Sequence, residues 1–300
     1  MKNILLIINP VSGNKDYNRY LAAIKEIFHD FNFKINIKKS KYHGHISDIV
    51  KESDISNYFS IVIMGGDGSF HEAINGIMNR IDKKLIPIGI IPNGSGNSLC
   101  RDLNLLNPLK AAKAIANNQT IQIDIGKITT DNTIIYNFNI IGWGLVSSIG
   151  IKAEKFRWLG PSRYTIISLI EIILKKTFKS KISFYNEKEL KNEISDSFIF
   201  GVLCNTIHTG KGMKMAPKAK IDDGLLDLLL IKNVSRLKLL KLMPQLFSGT
   251  HINDENVSYF KTKKLKLRSR NNYKLNIDGE IKGSTSFDFE VLPKKITTFK

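Results

Sequence analysis

Asp67 lies in the run Gly65-Gly66-Asp67-Gly68-Ser69, directly after the apolar segment Ser60 to Met64. Glycines at such a place let backbone N–H groups approach phosphate oxygens, and a helix that follows offers its positive end. A carboxylate among those amides would repel a bare phosphate, so it makes sense where a divalent cation bridges the two. Two further segments repeat the arrangement. Asn9-Pro10-Val11-Ser12-Gly13-Asn14-Lys15 follows the apolar run Ile4 to Ile8, and Pro92-Asn93-Gly94-Ser95-Gly96-Asn97-Ser98 follows Leu85 to Ile91. Ser12, Ser69 and Ser95 add hydroxyl donors, and Lys15 adds a point charge. None of the three has Walker A or Gly-x-Gly-x-x-Gly spacing. One glycine-rich turn alone is weak evidence, since glycine is the default turn residue. Three on successive strand ends point to a phosphate-bearing ligand.

Other carboxylates lie further along. Asp278 and Glu280 are two apart, which puts them on one face of a strand, although Gly279 between them fits a tight turn equally well. Asp222-Asp223-Gly224 reads by itself as a turn joining two strands. Asp124, flanked by Ile123 and Ile125, faces away from them and could be solvent-exposed. His71, His208 and His251 have no mutual spacing that suggests a metal. Cys100 and Cys204 are the two cysteines. They lie too far apart for a zinc site or a disulfide scaffold, and they fit a reducing, cytoplasmic setting.

The elements that must hold these residues are legible from periodicity. Up to Ile125, short apolar strands (Ile4 to Ile8, Phe33 to Ile37, Ser60 to Met64, Leu85 to Ile91, Ile121 to Ile125) alternate with helical stretches (Tyr20 to Phe31, Phe70 to Met78, and a region ending at Asn117). This rhythm predicts a doubly wound parallel sheet covered by helices, with all three glycine loops at carboxyl ends of strands, where ligands bind. Beyond Gly126, strand-like runs follow one another: Ile134 to Ile141, Lys181 to Tyr185, Ser197 to Cys204, Leu225 to Ile231, Lys264 to Arg268, Tyr273 to Ile277 and Thr285 to Val291. Helical insertions interrupt them near Tyr164 to Lys176 and Ser235 to Phe247. This predicts an antiparallel β domain, hence α/β plus β, with domains over 1–126 and 127–300. The last residues, Ile296 to Lys300, could return to the first domain.

The chain has 300 residues, 42% of them apolar and 24% charged, which excludes wholesale disorder and fibrous repeats. The longest apolar stretch, Thr165 to Leu174, is broken by Glu171 and falls short of a membrane span. The opening residues have too short an apolar run for a signal-peptide core and read as a buried strand. A net charge of +18 fits either biased composition or a polyanionic partner. No basic motif interleaved with aromatics speaks for nucleic acid.

Taken in order, Asn9-Pro-Val-Ser-Gly13, Gly65-Gly-Asp-Gly-Ser69 with Phe70-His-Glu72, Pro92 to Asn97, Lys214-Met-Ala-Pro217 with Ile221 to Asp227, Ser248-Gly-Thr-His251 and Asn276-Ile-Asp-Gly-Glu280 resemble the diacylglycerol kinase and sphingosine kinase superfamily. The resemblance implies an ATP-dependent kinase of lipid alcohols, with a nucleotide domain followed by a β-sandwich domain. It implies ATP contacts at Asn9, Pro10, Val11, Ser12 and Gly13, at Ser40, at Gly66, Asp67, Gly68, Ser69, Phe70, His71 and Glu72, and at Ser95. Ser40 stands where the family more often has Thr. The general base is either Glu280, as in bacterial members, or Asp67, as in the sphingosine kinase branch. A magnesium site would use Asp223 and carbonyls at Lys220 and Leu225, with Asp124 linked to its water network. Asn97-Ser98 replaces the usual Asn-Asp of bacterial members, and His71 replaces an Asn. Both changes look more like the sphingosine kinase branch.

The implied partners are a lipid alcohol and the surface of an anionic membrane, with no nucleic acid and with a homodimer left open. The stretch Tyr164 to Lys176, with Phe156-Arg157-Trp158-Leu159 before it and Lys175, Lys176, Lys179 and Lys181 at its end, reads either as an interfacial helix or as a core helix with a basic last turn. Two other readings compete: an NAD kinase-like or other small-molecule kinase on the same fold, and a non-catalytic module that binds nucleotide or anionic membrane.

Overall fold

In the computed structural model, residues 2–13, 17–156, 158, 162–186 and 189–300 are described. Lys15, Arg157 and Leu159, singled out above, lie outside them. The chain forms two compact units, one made of residues 1–125, 210–212 and 293–300 and the other of residues 126–209 and 213–292.

The first unit is built on four strands, β1 (Lys2–Ile8), β2 (Phe33–Lys39), β3 (Tyr58–Gly65) and β4 (Ile88–Pro92), in the order β2-β1-β3-β4 with every pair parallel. Ile4 to Ile8 and Ile61 to Met64 are fully buried. This is the continuous apolar pattern of strands covered on both faces. The cover comes from α1 (Asn18–Asp30) packed with α5 (Pro108–Ala116), and from α2 (His45–Glu52) packed with α3 (Asp67–Met78). The short α4 (Ser98–Asp102) precedes α5. The chain moves from β1 outward to β2, then crosses back to β3 on the other side. The direction therefore reverses between β1 and β3, at the position where such sheets bind ligands.

Strand β5 (Thr120–Thr130) carries the chain into the second unit. Asp124 near its start is buried rather than exposed, because Oδ1 accepts the backbone N–H of Lys294 at 2.7 Å. The second unit is an antiparallel sandwich-like domain. Its strands are β6 (Thr133–Asn137), β7 (Ile140–Gly144), β8 (Phe178–Asn186), β9 (Glu189–Cys204), the short pair β10 (His208–Thr209) and β11 (Met213–Lys214), β12 (Leu226–Lys232), β13 (Val257–Thr262), β14 (Lys264–Ser269), β15 (Lys274–Ile277), β16 (Glu280–Ser284) and β17 (Phe287–Phe299). The long β9 pairs with β8 through its first part and with β7 and β12 through its last. Trp143, Phe178, Phe198, Leu228 and Phe287 fill the core. Helices α6 (Leu145–Lys155), α7 (Arg163–Leu174) and α8 (Arg236–Ser248) complete the unit. Strand β17 returns the chain to the first unit, where Thr298 Oγ1 donates to Ile88 O at 2.8 Å and Phe299 is buried.

Several element boundaries differ from the sequence reading for identifiable reasons. Helix α2 is absent from it. Its N-cap, Gly44, supplies no side-chain cap, and the carboxylate of Glu72 on α3 serves instead. The single strand expected over 134–141 is two strands. Asp278 draws the N–H groups of Phe138, Asn139 and Ile140 out of the ladder at the break. Helix α6 begins abruptly at Gly144, φ +71°, with no capping side chain. Of α7, left above as either interfacial or core, Ile167, Glu171 and Ile172 alone are buried, and Ile172 joins the core.

Candidate functional site

Strand β1 leaves the sheet at Asn9, whose side chain reaches across to the next loop. Asn9 Nδ2 donates to Ser69 Oγ at 2.8 Å, and Asn9 Oδ1 accepts Val11 N–H at 3.2 Å. Ser12 Oγ donates to Asn93 O at 3.1 Å, and Asn93 N–H donates to Gly65 O at 2.8 Å. The three loops that follow β1, β3 and β4 are thus laced into one body at the β1/β3 reversal. Close approach explains the glycines as much as ligand binding does: a Cβ on Gly66 would come within 2.9 Å of Gly94 Cα. At the start of β2's connection, Ser40 donates its backbone N–H to Ile8 O at 2.9 Å, so it shares this edge. Beside it a broad depression is lined by Lys38, Lys39, Lys41, Tyr42 and His45, along with Asp48 and Glu52 of α2. The Tyr42 hydroxyl donates to Asp48, which raises its pKa.

Helix α3 starts at Asp67 in the middle of this body, and Gly66 O accepts the first helical bond, from Phe70 N–H at 3.1 Å. The amides of the first turn have no acceptor within the helix, which favours an anion there. Asp67 turns both oxygens toward α4: Oδ1 accepts Ser98 N–H at 2.8 Å and Oδ2 accepts Ser98 Oγ–H at 3.1 Å. Burial, with Asp67 adding to it, pushes the Cys100 thiol far above its usual range and keeps it inert. The predicted nucleotide residues divide here. Asn9, Pro10, Ser12, Asp67 and Gly68 are half-buried, and Val11, Gly13 and Ser95 are exposed. Gly66, Ser69, Phe70 and His71 are buried, and Ser40 is nearly so. Glu72 is committed elsewhere, since its carboxylate accepts Gly44 N–H at 2.8 Å and Ile46 N–H at 3.1 Å and lies 3.1 Å from His43 Nδ1.

In the second unit, Asp278 and Gly279 form a two-residue turn between β15 and β16, with φ +54° and +96°. Positive φ at both central residues is the hairpin geometry that an Asp-Gly pair favours. The two carboxylates therefore do not share a strand face. Asp278 is buried, with Oδ1 accepting the N–H groups of Asn139 and Ile140 at 2.9 Å each and Oδ2 accepting Phe138 N–H at 3.1 Å. Gly279 N–H donates to Asn276 Oδ1 at 2.9 Å. The turn is thereby pinned, and Glu280 follows it half-buried at the start of β16.

The predicted metal ligands lie in the segment before β12. Asp223 Oδ1 accepts Leu225 N–H at 3.1 Å, and Oδ2 accepts from Lys261 Nζ at 2.8 Å. The same ammonium lies 3.3 Å from Asp227 Oδ2. Burial works against the Lys261 charge, but Asp223 and Asp227 outweigh it and raise its pKa. Burial raises the pKa of Asp227, against the opposing pull of Tyr259 and Lys261. One carboxylate and two carbonyls, completed by water, is a hard-oxygen set suited to magnesium. As placed, however, Lys261 fills the position beside the carboxylate, and Lys220, Asp223 and Leu225 do not fit a divalent cation while it stays there. Among the described residues no group of three or more His, Cys, Asp or Glu side chains is arranged to hold a metal.

Two signature segments prove to be mutual supports. His251 is buried and donates Nε2–H to Met215 O at 3.1 Å, joining Ser248 to His251 with Lys214 to Pro217. The sequence reading missed the roles of Ser98, Asp278 and Lys261. The Asp-Gly turn signal was available for Asp278, whereas no local pattern links Lys261 to Asp223.

The diacylglycerol kinase catalytic domain model matches residues 3–128, and the YegS C-terminal NAD kinase beta sandwich-like domain model matches residues 139–300. The chain belongs to the diacylglycerol kinase and sphingosine kinase superfamily of lipid kinases. It is 31% identical to "Sphingosine kinase 1" of Arabidopsis thaliana over 87% of this chain, and it spans 63% of that relative's length. It is 26% identical to "Diacylglycerol kinase" of Bacillus subtilis (strain 168), covering 99% of this chain and 95% of the relative. The solved structure "Crystal structure of a putative diacylglycerol kinase from Bacillus anthracis str. Sterne" superposes with a TM-score of 0.81 at 25% identity, covering 99% of this chain and 95% of the other.

Proposed function

We propose that the protein transfers the γ-phosphoryl group of ATP to the hydroxyl of a lipid alcohol of the diacylglycerol or sphingoid-base type. The observation that carries this reading is the lacing of three strand-end loops around the first turn of α3, at the reversal between β1 and β3. That body offers the backbone amides of its loops and of the first turn of α3 to phosphate oxygens, without needing a lysine at Walker spacing. Ser40 and the depression beside it, where Lys38, Lys39 and Lys41 stand with Asp48 and Glu52, extend the same edge. In the transfer, the lipid oxygen forms a bond to the γ-phosphorus, the bond to the β-phosphate oxygen breaks, ADP leaves, and the hydroxyl proton passes to a carboxylate. Glu280 takes that role, because the hydrogen bonds of Asp278 and Asn276 fix the turn that it follows. Magnesium accompanies ATP and offsets charge on its phosphates. No step is assigned to Lys220, Asp223 or Leu225.

The test is phosphate transfer from labelled ATP to dispersed diacylglycerol, monoacylglycerol, sphingosine and ceramide, with NAD and fructose 6-phosphate as controls. Label on a lipid is expected. Glu280→Gln should lower kcat by about 10²- to 10⁴-fold with ATP affinity kept, and Asp67→Asn should fall less. Label on NAD alone would overturn the substrate class. Full activity in Glu280→Gln would overturn the choice of base.

A further inference from the structure

Strands β10 and β11 pair through two residues each, His208 with Lys214 and Thr209 with Met213. Gly210-Lys211-Gly212 makes the turn between them, and both glycines take positive φ, +55° and +93°. That backbone suits glycine, and it holds Lys211 at the apex. The turn comes late in the chain, yet residues 210–212 belong to the first unit. Two close approaches show where it sits. A Cβ on Gly96 would meet Gly210 O at 3.3 Å and Asp67 Oδ2 at 2.7 Å, and a Cβ on Gly212 would meet Arg101 Cζ at 3.4 Å. Gly96 therefore lies between the turn and Asp67, the residue that opens α3.

An exposed lysine on a hairpin tip is ordinarily a solvated charge. Lys211 is exposed, but its turn is set against the glycine loop that follows β4 and against α4. Among the described residues no carboxylate pairs with its ammonium. Arg101 beside it has a buried Nε without a hydrogen-bond partner, so a second cation stands at the same place. The amides that open α3 favour an anion, while Asp67 among them repels one. A polyphosphate held there needs a positive charge close by, and the three loops supply no lysine at Walker spacing. The flexible four-carbon stem of Lys211 can carry its ammonium over Gly96, which has no side chain to block it. The terminal phosphate carries the most charge and is where charge shifts during transfer. We infer that Lys211, from the β10–β11 turn, binds the terminal phosphate of the nucleotide and offsets its repulsion by Asp67. The inference rests on reading the site as one for ATP.

The experiment is calorimetric titration of the full chain with ATP and with ADP, both in excess magnesium. The unaltered protein should bind both. Lys211→Ala should bind ATP about 10- to 100-fold more weakly, the effect of one charge-assisted hydrogen bond, with ADP affinity and the thermal midpoint unchanged. Lys211→Arg, which keeps the charge, should recover part of the loss. Lys113→Ala, at an exposed lysine of α5, should bind both nucleotides as the unaltered protein does. If Lys211→Ala lowers the thermal midpoint, Lys211→Gln replaces it with the same expectation. Unchanged ATP affinity in the Lys211 variants overturns the inference and leaves the kinase reading standing. Equal losses for ATP and ADP overturn it in favour of a structural role for the turn. Failure of the unaltered protein to bind ATP overturns both. ATP binding that depends on Lys211, without phosphate transfer to any lipid, would keep the contact and remove the lipid-kinase reading.

Discussion

At the scale of single residues, Lys261 carries the clearest energetic statement. Its ammonium stands between Asp223 and Asp227, 2.8 Å from one carboxylate and 3.3 Å from the other. Removing it leaves two carboxylates, one of them buried, without their shared countercharge. Lys261→Met should therefore lose about 1–3 kcal/mol of stability, a value kept modest because the pair is partly solvated. Millimolar magnesium should return much of that loss by occupying the freed oxygens, while the unaltered protein should gain little. Thermal midpoints with and without magnesium decide the matter. Equal magnesium responses in the two proteins would mean that Lys261 does not stand in for a cation. Ser98 shows the same economy. Its N–H and hydroxyl satisfy both oxygens of Asp67, where the Asp more usual in bacterial members would add a second carboxylate.

At the scale of elements, the join between two signature segments is pH-sensitive. Burial lowers the pKa of His251 below its ordinary 6.5, and the bond to Met215 O only partly opposes this. The imidazole is neutral in the fold, so the unfolded chain binds more protons between the folded-state pKa and 6.5. Stability from this group is complete above 6.5 and falls as pH drops through that window. Urea midpoints at pH 7.5 and 5.5 should differ less in His251→Gln than in the unaltered protein, and an identical difference would refute the assignment. The same scale shows what the sequence could and could not convey. The β-α alternation and the run of antiparallel strands were legible because their apolar periods are local. Helix α2 had its periodicity, through Ile46, Ile49 and Val50, but its cap, Glu72, lies 26 residues beyond Ile46. The break in 134–141 depends on a carboxylate 140 residues from Phe138. The glycine loops were legible as turns at strand ends, and they follow β1, β3 and β4. The commitment of Glu72 to a helix cap, and the anchoring of the Asp278 carboxylate on the N–H groups of residues 138–140, are long-range facts with no local signature.

At the scale of the whole molecule, the charge of +18 has a measurable consequence. If it serves docking, affinity for anionic vesicles should fall at least about tenfold between roughly 50 and 300 mM salt, because screening shortens its reach. A flat salt response would assign the charge to composition. Chain order matters at this scale too. The first unit, which carries all the glycine loops, is completed by residues 293–300, and Lys300 N–H and Thr298 Oγ1 bond to residues made far earlier. On a ribosome that emits the chain from its amino end, the first unit therefore cannot finish folding when its own first 125 residues emerge. It must wait, partly open, until the entire sandwich has been synthesised. A nascent chain arrested before residue 293 would hold an immature first unit, which ties the completion of that unit to the synthesis of the second.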